Sequence, residues 1–259
     1  MRLKDKVIVV TGSTTGIGKA IARMCLDEGA SVLIHGLEPD LAESTWQELD
    51  PDRSRSDAIV ADLADPESPR RIRETVLKRF GKVDGLVNNA ALVGTGDIIS
   101  TDPETFSRFI DVNAKAPLFL IKTLLDDLQI NRGSVVNIGS VNAYCGEPDL
   151  LPYSISKGAL MTLTRNLGDT LHREYGVRVN QVNPGWIMSE NEQLRKQEQG
   201  MPADWSANID KMFAPSGRIF EPAEIAAAVI YFLSDESGPV SGSVLDIEQH
   251  PMIGRNPAK

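Results

Sequence analysis

The chain has 259 residues, of which 41% are hydrophobic and 24% are charged, and these values fit one sizeable globular domain. A formal net charge of −9 argues against a nucleic-acid binder, because binding to phosphate backbones needs a broad basic surface. Two cysteines and three histidines exclude a disulfide scaffold, and we predict no metal site. The sequence shows neither a signal peptide nor an apolar run of membrane-spanning length, so we predict a cytoplasmic protein.

Short apolar runs alternate along the chain with segments of helical periodicity. The runs predicted as strands are 7–10, 31–35, 57–61, 83–87, 134–138, 177–182 and 244–247. The segments predicted as helices are 19–28, 39–49, 66–80, 103–111, 114–128, 152–175 and 221–233. Strands that alternate with helices form parallel sheets with right-handed crossovers. We therefore predict an α/β fold, a doubly wound parallel sheet with helices on both faces.

A glycine-rich turn connects the first strand to the first helix. It reads Thr11-Gly12-Ser13-Thr14-Thr15-Gly16-Ile17-Gly18. Glycines at this point let the backbone approach a pyrophosphate, which the positive end of the following helix attracts. A glycine cluster alone is more often a plain turn, but its place between a strand and a helix favours a dinucleotide site.

Three more polar motifs follow predicted strands. They read Asn88-Asn89-Ala90-Ala91, Gly139-Ser140 and Asn183-Pro184-Gly185. Ligands of open parallel sheets bind beyond the carboxyl ends of the strands. We therefore expect these motifs and the glycine turn to share one edge of the sheet.

The long helix predicted at 152–175 begins with Tyr153-Ser154-Ile155-Ser156-Lys157. Tyr153 and Lys157 are four residues apart and therefore share one helix face. An ammonium group beside a phenol lowers the pKa of the phenol, which can then act as an acid or a base near neutral pH. Such a pair alone is usually part of an exposed face, so its interpretation depends on Ser140 and the glycine turn.

Five motifs in this order resemble the single-domain short-chain dehydrogenase/reductases. They are the glycine turn, Asn88-Asn89-Ala90, Ser140, Tyr153 with Lys157, and Asn183-Pro184-Gly185. The resemblance covers nearly the whole chain. It implies a Rossmann-type fold with a seven-stranded sheet, a nicotinamide cofactor and hydride transfer.

The resemblance implies a catalytic set of Asn113, Ser140, Tyr153 and Lys157. Tyr153 would be the general acid in carbonyl reduction and the base in alcohol oxidation. Lys157 would bind the nicotinamide ribose and lower the pKa of Tyr153, and Ser140 would orient the substrate oxygen. Asn113 would interrupt a helix and hold a water of the proton relay, although a plain helix cap would also account for it.

The resemblance also implies contacts to the cofactor. Asp62 would accept from the adenine amino group, although a turn aspartate fits the sequence equally well. Asn89 would contact a ribose and the Ile187 backbone the nicotinamide amide, while Ser189 replaces a frequent threonine. The full predicted set is Gly12, Thr14, Thr15, Gly16, Ile17, Gly18, Leu37, Asp62, Leu63, Asn89, Ala90, Tyr153, Lys157, Pro184, Gly185, Ile187 and Ser189.

The end of the second strand normally decides between NAD and NADP. An acidic residue there binds the ribose hydroxyls of NAD, and a following arginine binds the 2′-phosphate of NADP. This chain has His35-Gly36-Leu37-Glu38 and therefore neither signal. Glu38 would repel a phosphate, and the turn has no basic residue before Gly16, so we favour NAD and leave NADP open.

The predicted substrate-binding residues are Ser140, Asn142, Glu147, Tyr153 and Trp186. Asn142, Glu147 and Asp149 could bond the hydroxyls of a sugar or polyol, or they could form a solvated loop. Residues of about 189–216 are expected to be a mobile lid over the substrate. Trp186 and Trp205 could form a small core of the lid or a stacking platform for a ligand.

The C-terminal end of the last strand departs from the family pattern. The family often has Asp-Gly-Gly where this chain has Glu248-Gln249-His250, followed by Pro251-Met252-Ile253-Gly254. The change could alter packing at a subunit contact. Alternatively, Gln249 or His250 reaches a substrate pocket.

The leading function is an NAD(P)-dependent oxidoreductase for a secondary alcohol or ketone, with a sugar or polyol as the favoured substrate. Reduction of a 3-oxoacyl thioester on acyl carrier protein is the alternative. Outside enzymes, a nucleotide-binding sensor without chemistry is a third class, which the presence of Tyr153 and Lys157 disfavours. A homotetramer is expected from the family, and the apolar segment 116–121 fits burial on more than one side.

Overall fold

The computed structural model of the chain describes residues 1–251, apart from the side chains of Cys145 and Asn208. Seven parallel strands form one sheet in the order β3-β2-β1-β4-β5-β6-β7. The predicted seven-stranded doubly wound sheet is therefore confirmed. Its strands are β1 (Val7–Val10), β2 (Ser31–Gly36), β3 (Ser56–Val60), β4 (Gly85–Asn88), β5 (Ser134–Ile138), β6 (Arg178–Pro184) and β7 (Val244–Ile247).

Helices cover both faces of this sheet. They are α1 (Gly16–Asp27), α2 (Pro39–Leu49), α3 (Ser68–Phe80), α4 (Pro103–Ile110), α5 (Ala116–Ile130), α6 (Asn142–Cys145), α7 (Leu151–Tyr175), α8 (Glu190–Glu198) and α9 (Pro222–Leu233). The short helices α6 and α8 were not among the predicted elements. Helix α1 begins three residues before the predicted start, because the glycines of the turn form its first helical turn.

The alternation of side chains along β1 divides the core into two layers. Ile8 and Val10 pack with residues of α1 and α9 on one face of the sheet. Val7 and Val9 pack on the other face with residues of α3, α5 and α7. All four β1 residues are buried because the strand lies in the middle of the sheet with helices on both sides. The continuous apolar run in the sequence reflects this double burial.

The residues between β6 and α9 form a separate small cluster. We call residues 189–216 the outer segment; it contains α8 and a short 3₁₀ turn at Trp205–Asn208. Trp205 and Ala214 are buried there with Ile219, and Trp186 packs against them. The rings of Trp186 and Trp205 are stacked with their centroids 5.4 Å apart. This arrangement matches the interpretation of the two tryptophans as a small core.

Two features are absent from residues 1–251. No helix in this part of the chain is both long enough and apolar enough to cross a membrane. The same residues bring no three His, Cys, Asp or Glu side chains together in a group that could hold a metal ion.

Candidate active site

The glycine turn is folded against the loop that follows β4. Gly12 has a φ of +60°, and a Cβ at this position would lie 2.7 Å from Cα of Ala90. A Cβ at Gly18 would collide with the carbonyl oxygen of Gly12 and the side-chain amide of Asn89. Only glycine fits either position, because the first requires a left-handed backbone and both leave no space for a side chain.

Asn89 and Thr11 fix the turn from opposite sides. The Asn89 amide donates to the carbonyl oxygens of Thr11 and Gly12, both at 2.9 Å. The Thr11 hydroxyl accepts from the backbone N–H groups of Asn89 and Ala90 at 3.0 and 3.1 Å. Asn89 thus has a clear structural task, and its predicted contact to a ribose remains a prediction.

His35, at the end of β2, was missed as a site residue. It is buried, and its Nδ1 accepts from the backbone N–H of Gly12 at 3.1 Å. Its Nε2 lies 3.0 Å from the Ala61 carbonyl oxygen and therefore carries the proton. Burial lowers the pKa of His35 from 6.5 to about 4, so the ring is neutral at pH 7. His35 ties the glycine turn to the end of β3.

The next position, Gly36, explains the missing acidic residue at the end of β2. A Cβ at Gly36 would lie 2.5 Å from Cγ2 of Thr14, so the turn itself occupies the space that an aspartate would need. The following side chain, Leu37, is 59% exposed. The end of β2 therefore offers an apolar side chain and no charge at these two positions.

Asp62 and Leu63 follow β3. The Asp62 carboxylate accepts from the Arg108 guanidinium at 2.8 and 3.0 Å and from the Ala64 N–H at 2.9 Å. These partners hold the pKa of Asp62 below its usual value although partial burial acts in the opposite direction. Leu63 is buried in the core. Asp62 is therefore a turn aspartate that pairs with Arg108. No signal in the sequence had predicted that Arg108 would contact Asp62.

Asn113 lies in a π-helical turn, Asp111–Lys115, between α4 and α5. Its side chain accepts from the Leu92 N–H at 2.7 Å and donates to the Leu92 carbonyl at 2.9 Å. It also donates to the Ser156 hydroxyl at 2.9 Å, and Ser156 in turn donates to the Tyr153 carbonyl at 2.6 Å. Asn113 is therefore not a helix cap; it joins the loop after β4 to the first turn of α7.

The three remaining catalytic candidates meet where β5 ends. The hydroxyl of Ser140 lies near enough to the phenol of Tyr153 to act on its pKa. The Ser140 N–H donates to the Asn183 side chain at 3.1 Å. The Lys157 ammonium is 2% exposed, donates to the Ile138 carbonyl at 2.7 Å and lies 5.7 Å from the centroid of the Tyr153 ring. The start of α7 thus places Tyr153 and Lys157 against the ends of β5 and β6.

The predicted lowering of the Tyr153 pKa by Lys157 is wrong for this structure. Burial raises the pKa of Tyr153, and this effect exceeds the lowering by the nearby Ser140 hydroxyl and by the positive charge of Arg195. Burial also lowers the pKa of Lys157 from 10.5 to about 7. Lys157 is itself too deeply desolvated to act as a full positive charge beside the phenol.

Two charged side chains act on the Tyr153 phenol. The Glu147 carboxylate is near enough to raise the pKa of Tyr153, and the Arg195 guanidinium on α8 is near enough to lower it. The Asn142 amide lies 3.4 Å from Oε1 of Glu147. Trp186 donates its indole N–H to Glu192 at 2.8 Å. Arg195 was not predicted, because its place near Tyr153 depends on the path of the outer segment.

The motif after β6 leads from the sheet into the outer segment. The Gly185 N–H donates to the Ile247 carbonyl at 2.9 Å, so Pro184 and Gly185 lie beside the end of β7. Ile187 is buried, and the Ser189 hydroxyl caps α8 by accepting from the Glu192 N–H at 3.1 Å. A Cβ at Gly16 would lie 3.4 Å from Cβ of Ser189, which brings the glycine turn and the outer segment into contact.

The C-terminal departure has an unexpected neighbour. The Gln249 side chain bonds to the backbone of Ser216 and Arg218, where the outer segment ends. Nδ1 of His250 is buried and has no hydrogen-bond partner among residues 1–251. Neither the subunit-contact prediction nor the substrate-pocket prediction included this contact of Gln249. The rest of the C-terminal departure, from Met252 onward, lies outside the described residues.

Comparison with known proteins agrees with this geometry. Residues 12–249 match the sequence model of a family described as enoyl-(acyl carrier protein) reductase. The chain is 33% identical over 251 residues to 2-(S)-hydroxypropyl-CoM dehydrogenase 3 of Xanthobacter autotrophicus, covering 95% of this chain and 96% of that protein. It is 32% identical over 250 residues to the NADP-dependent (R)-specific alcohol dehydrogenase of Lentilactobacillus kefiri, with coverages of 93% and 94%. It is 29% identical over 254 residues to L-rhamnose-1-dehydrogenase of Scheffersomyces stipitis, with 95% of each chain covered.

A doubly wound sheet with a glycine turn and a Tyr–Lys pair at one edge is the architecture of dinucleotide-dependent oxidoreductases. The chain belongs to the short-chain dehydrogenase/reductase family, and it is an oxidoreductase that acts on alcohols or ketones. Proteins of this family use nicotinamide dinucleotides. The residues present fit such a group, since no side chain caps the start of α1, which leaves the backbone N–H groups of its first turn for a phosphate.

Proposed function

We propose that this enzyme transfers a hydride between a nicotinamide cofactor and a secondary alcohol or ketone, with Ser140, Tyr153 and Lys157 at the reacting centre. The observation that carries the proposal is the proximity of the Ser140 hydroxyl to the Tyr153 phenol, because it brings two donors to one point. A carbonyl oxygen placed there accepts from both. The glycine turn lies on the same edge of the sheet, which supports a cofactor next to this point.

The side chains have separate tasks in this proposal. The nicotinamide supplies or accepts the hydride when it is bound. In reduction, Tyr153 gives its phenolic proton to the substrate oxygen, and Ser140 donates a hydrogen bond to the same oxygen. Lys157 holds the nicotinamide ribose, and Asn113 keeps α7 in register and holds a water of the relay. A raised pKa keeps Tyr153 protonated at neutral pH, so alcohol oxidation is expected to need a higher pH than reduction.

We propose NAD as the preferred cofactor. A 2′-phosphate would meet the apolar Leu37 and the acidic Glu38 at the end of β2. The cations of α1 do not compensate, because Lys19 and Arg23 are both paired with Glu48 at 2.7 Å. One relative uses NADP by its name, so the test is a comparison of dissociation constants for NADH and NADPH. Tighter binding of NADPH would overturn this preference.

The favoured substrate class is a sugar or polyol. Glu147 and Arg195 shift the pKa of the Tyr153 phenol in opposite directions, so the reacting oxygen has charged neighbours. Hydroxyl groups of a substrate can bond to such side chains, whereas a long acyl chain would leave them unpaired. The rhamnose relative favours this class, while the description of the matching family names an acyl carrier protein.

A two-armed assay of reduced-nicotinamide absorbance tests the function. One arm offers aldoses and polyols with NAD⁺ and NADP⁺, and the other offers a short 3-oxoacyl thioester with NADH and NADPH. We expect turnover in the first arm and its loss in Tyr153→Phe. Turnover only in the thioester arm would assign the alternative activity, and turnover that survives in Tyr153→Phe would remove Tyr153 from the mechanism.

We also propose a homotetramer. Of the predicted apolar segment 116–121, Leu120 and Ile121 are buried in the core, but Leu118 and Phe119 are 38% and 42% exposed. Ile155 at the start of the neighbouring helix α7 is 44% exposed. Apolar side chains exposed on two adjacent helices fit a contact with a second copy. Light scattering measures the mass directly, and a monomer would contradict the proposal.

A further inference from the structure

The two ends of the outer segment lie side by side. The backbone N–H of Phe220 donates to the Trp186 carbonyl at 3.0 Å, and the Met188 N–H donates to the Phe220 carbonyl at 2.7 Å. Ile187 and Phe220 thus form a parallel bridge. We define two stems for the outer segment. The first stem is residues 185–188, just before it, and the second stem is residues 216–220, which begins at its last residue. Whatever fixes the stems also fixes the direction in which the outer segment leaves the sheet.

The C-terminal departure from the family pattern contacts both stems. Glu248 covers the first stem, because a Cβ at Gly185 would collide with the Glu248 carboxylate. Gln249 holds the second stem with both ends of its side-chain amide. Oε1 accepts from the Ser216 N–H at 2.9 Å, and Nε2 donates to the Arg218 carbonyl at 2.6 Å.

The chemistry of a glutamine side chain suits this contact. The second stem offers one N–H and one C=O two residues apart, and a primary amide supplies one acceptor and one donor. Two glycines, which the family often has here, have no side chain for either bond. The replacement of a glycine by Gln249 therefore adds a connection between the end of β7 and the second stem.

The outer segment carries this connection to the reacting centre. Trp186 and Trp205 stack within it, and their indole N–H groups donate to Glu192 and Gln193 of α8, each at 2.8 Å. The next turn of α8 holds Arg195, whose charge acts on the Tyr153 phenol. Stems, tryptophans and α8 are thus linked into one unit, so a shift of the second stem moves groups that face Tyr153.

We propose that Gln249, supported by Glu248, is a positioning residue that holds the outer segment closed over the substrate site. This inference rests on the proposed function, in which the outer segment covers a substrate beside Tyr153. Gln249 bonds to the second stem and not to the catalytic side chains or the glycine turn, so its removal loosens the outer segment and leaves the glycine turn in place. Arg218 remains held by Glu224 at 2.7 and 2.8 Å, so α9 keeps its contact to the stem.

The first variant is Gln249→Ala, which removes both hydrogen bonds. Loss of two exposed bonds is expected to favour the open outer segment by roughly tenfold. Limited digestion with trypsin reports this opening without any turnover, since Arg195, Lys196 and Lys211 lie within the segment. We expect cleavage there to become about tenfold faster and KM for the carbonyl substrate to rise by a similar factor. The dissociation constant for the dinucleotide is expected to change less than KM, because the glycine turn and Lys157 lie outside the outer segment and only Ser189 of the predicted cofactor residues lies within it.

Two further variants complete the experiment. Gln249→Glu keeps an acceptor for Ser216 but loses the donor to Arg218. We therefore expect the cleavage rate and KM to rise, but less than in Gln249→Ala. If Gln249→Ala does not fold, this variant decides the question. Gln47→Ala removes a glutamine side chain from the exposed face of α2 and should leave cleavage and KM unchanged.

The results separate the two proposals. Wild-type cleavage rates and KM in both Gln249 variants would overturn the positioning role, even if the enzyme turns over its substrate. Faster cleavage with an unchanged KM would show that Gln249 holds the segment but has no part in the reaction, which also overturns the role. Absence of turnover by the wild type would overturn the proposed function alone, and trypsin cleavage would still show whether Gln249 holds the segment.

Discussion

The edge of the sheet and the outer segment are held together by different kinds of contact. At the edge, the turn 11–18 and α7 are fixed by side chains that are at most 3% exposed, namely Thr11, His35, Asn113 and Lys157. Each bonds to backbone groups of a neighbouring loop or strand. In the outer segment, by contrast, α8 has no buried residue, and Gln249 makes its bonds at the protein surface.

This difference has an energetic meaning. A buried polar group that loses its partner costs about 1–3 kcal/mol, whereas an exposed hydrogen bond or ion pair contributes about 1 kcal/mol or less. The edge of the sheet is therefore expected to be rigid, and the outer segment is expected to open more easily. Substitutions should show large effects on stability at the edge and small ones in the outer segment.

Lys157→Met should have the largest effect. Burial lowers the pKa of Lys157 from 10.5 to about 7, which corresponds to a cost of up to about 5 kcal/mol for keeping this charge in the folded protein. We expect the variant to lose activity and to gain several kcal/mol in the free energy of unfolding, measured with urea.

The pH dependence of this gain has a definite sign. Between pH 7 and 10.5 the unfolded chain binds a proton that the folded chain does not bind, so the cost is full below pH 7 and is relieved as the pH rises. The advantage of Lys157→Met should shrink toward pH 10. Lys4→Met at an exposed position is the control, and equal stability of Lys157→Met and the wild type at pH 6 would contradict the prediction.

His35 should produce the next largest effect. Its folded-state pKa is about 4 instead of 6.5, so the unfolded chain binds more protons between these values. The contribution of neutral His35 is complete above pH 6.5 and is lost as the pH falls toward 4, about 3 kcal/mol in total. Urea unfolding of the wild type and His35→Gln over this range measures it.

The difference between the two proteins isolates His35 from nearby carboxylates such as Asp62. Below pH 6.5 we expect the free energy of unfolding of His35→Gln to fall less steeply than that of the wild type. The difference in slope should correspond to about one proton bound on unfolding. His172→Gln on α7 serves as the control and should follow the wild type. Parallel curves for the wild type and His35→Gln would show that His35 is not buried in its neutral form.

Asn113→Ala should cost about 2–3 kcal/mol, because three hydrogen bonds in the interior lose a partner. The control Asn166→Ala, on the exposed face of α7, should change stability by less than about 0.5 kcal/mol. Thermal unfolding measures both variants. A change as small as that of the control would mean that solvent replaces Asn113 at no cost.

Glu192→Gln should have the smallest effect. It weakens the ion pair with Arg195, which has a shortest contact of 2.7 Å at a partly exposed site, and we expect a loss of at most about 1 kcal/mol. Tryptophan fluorescence should respond all the same, because Glu192 accepts from Trp186 and only Trp46 lies outside this region. A loss of several kcal/mol would contradict the contrast between the two regions.

The amino-acid sequence alone predicted the order of the strands and helices along the chain. It also predicted that the polar motifs share one edge of the sheet. Apolar runs such as 7–10 have strand character because they are buried on both faces, and motifs that follow parallel strands must share one edge. The sequence also predicted that Tyr153 and Lys157 share one helix face, because residues four apart in an α-helix lie on the same face.

Only the tertiary structure decided the partners and charges of these groups. The pKa of Tyr153 is raised because the effect of burial is larger than the opposite effect of neighbours that favour the phenolate. The depth of burial has no signal in the local sequence. His35 contacts Gly12, and Gln249 contacts Ser216, across 23 and 33 residues. Such bonds depend on how distant loops meet, which side-chain periodicity does not encode.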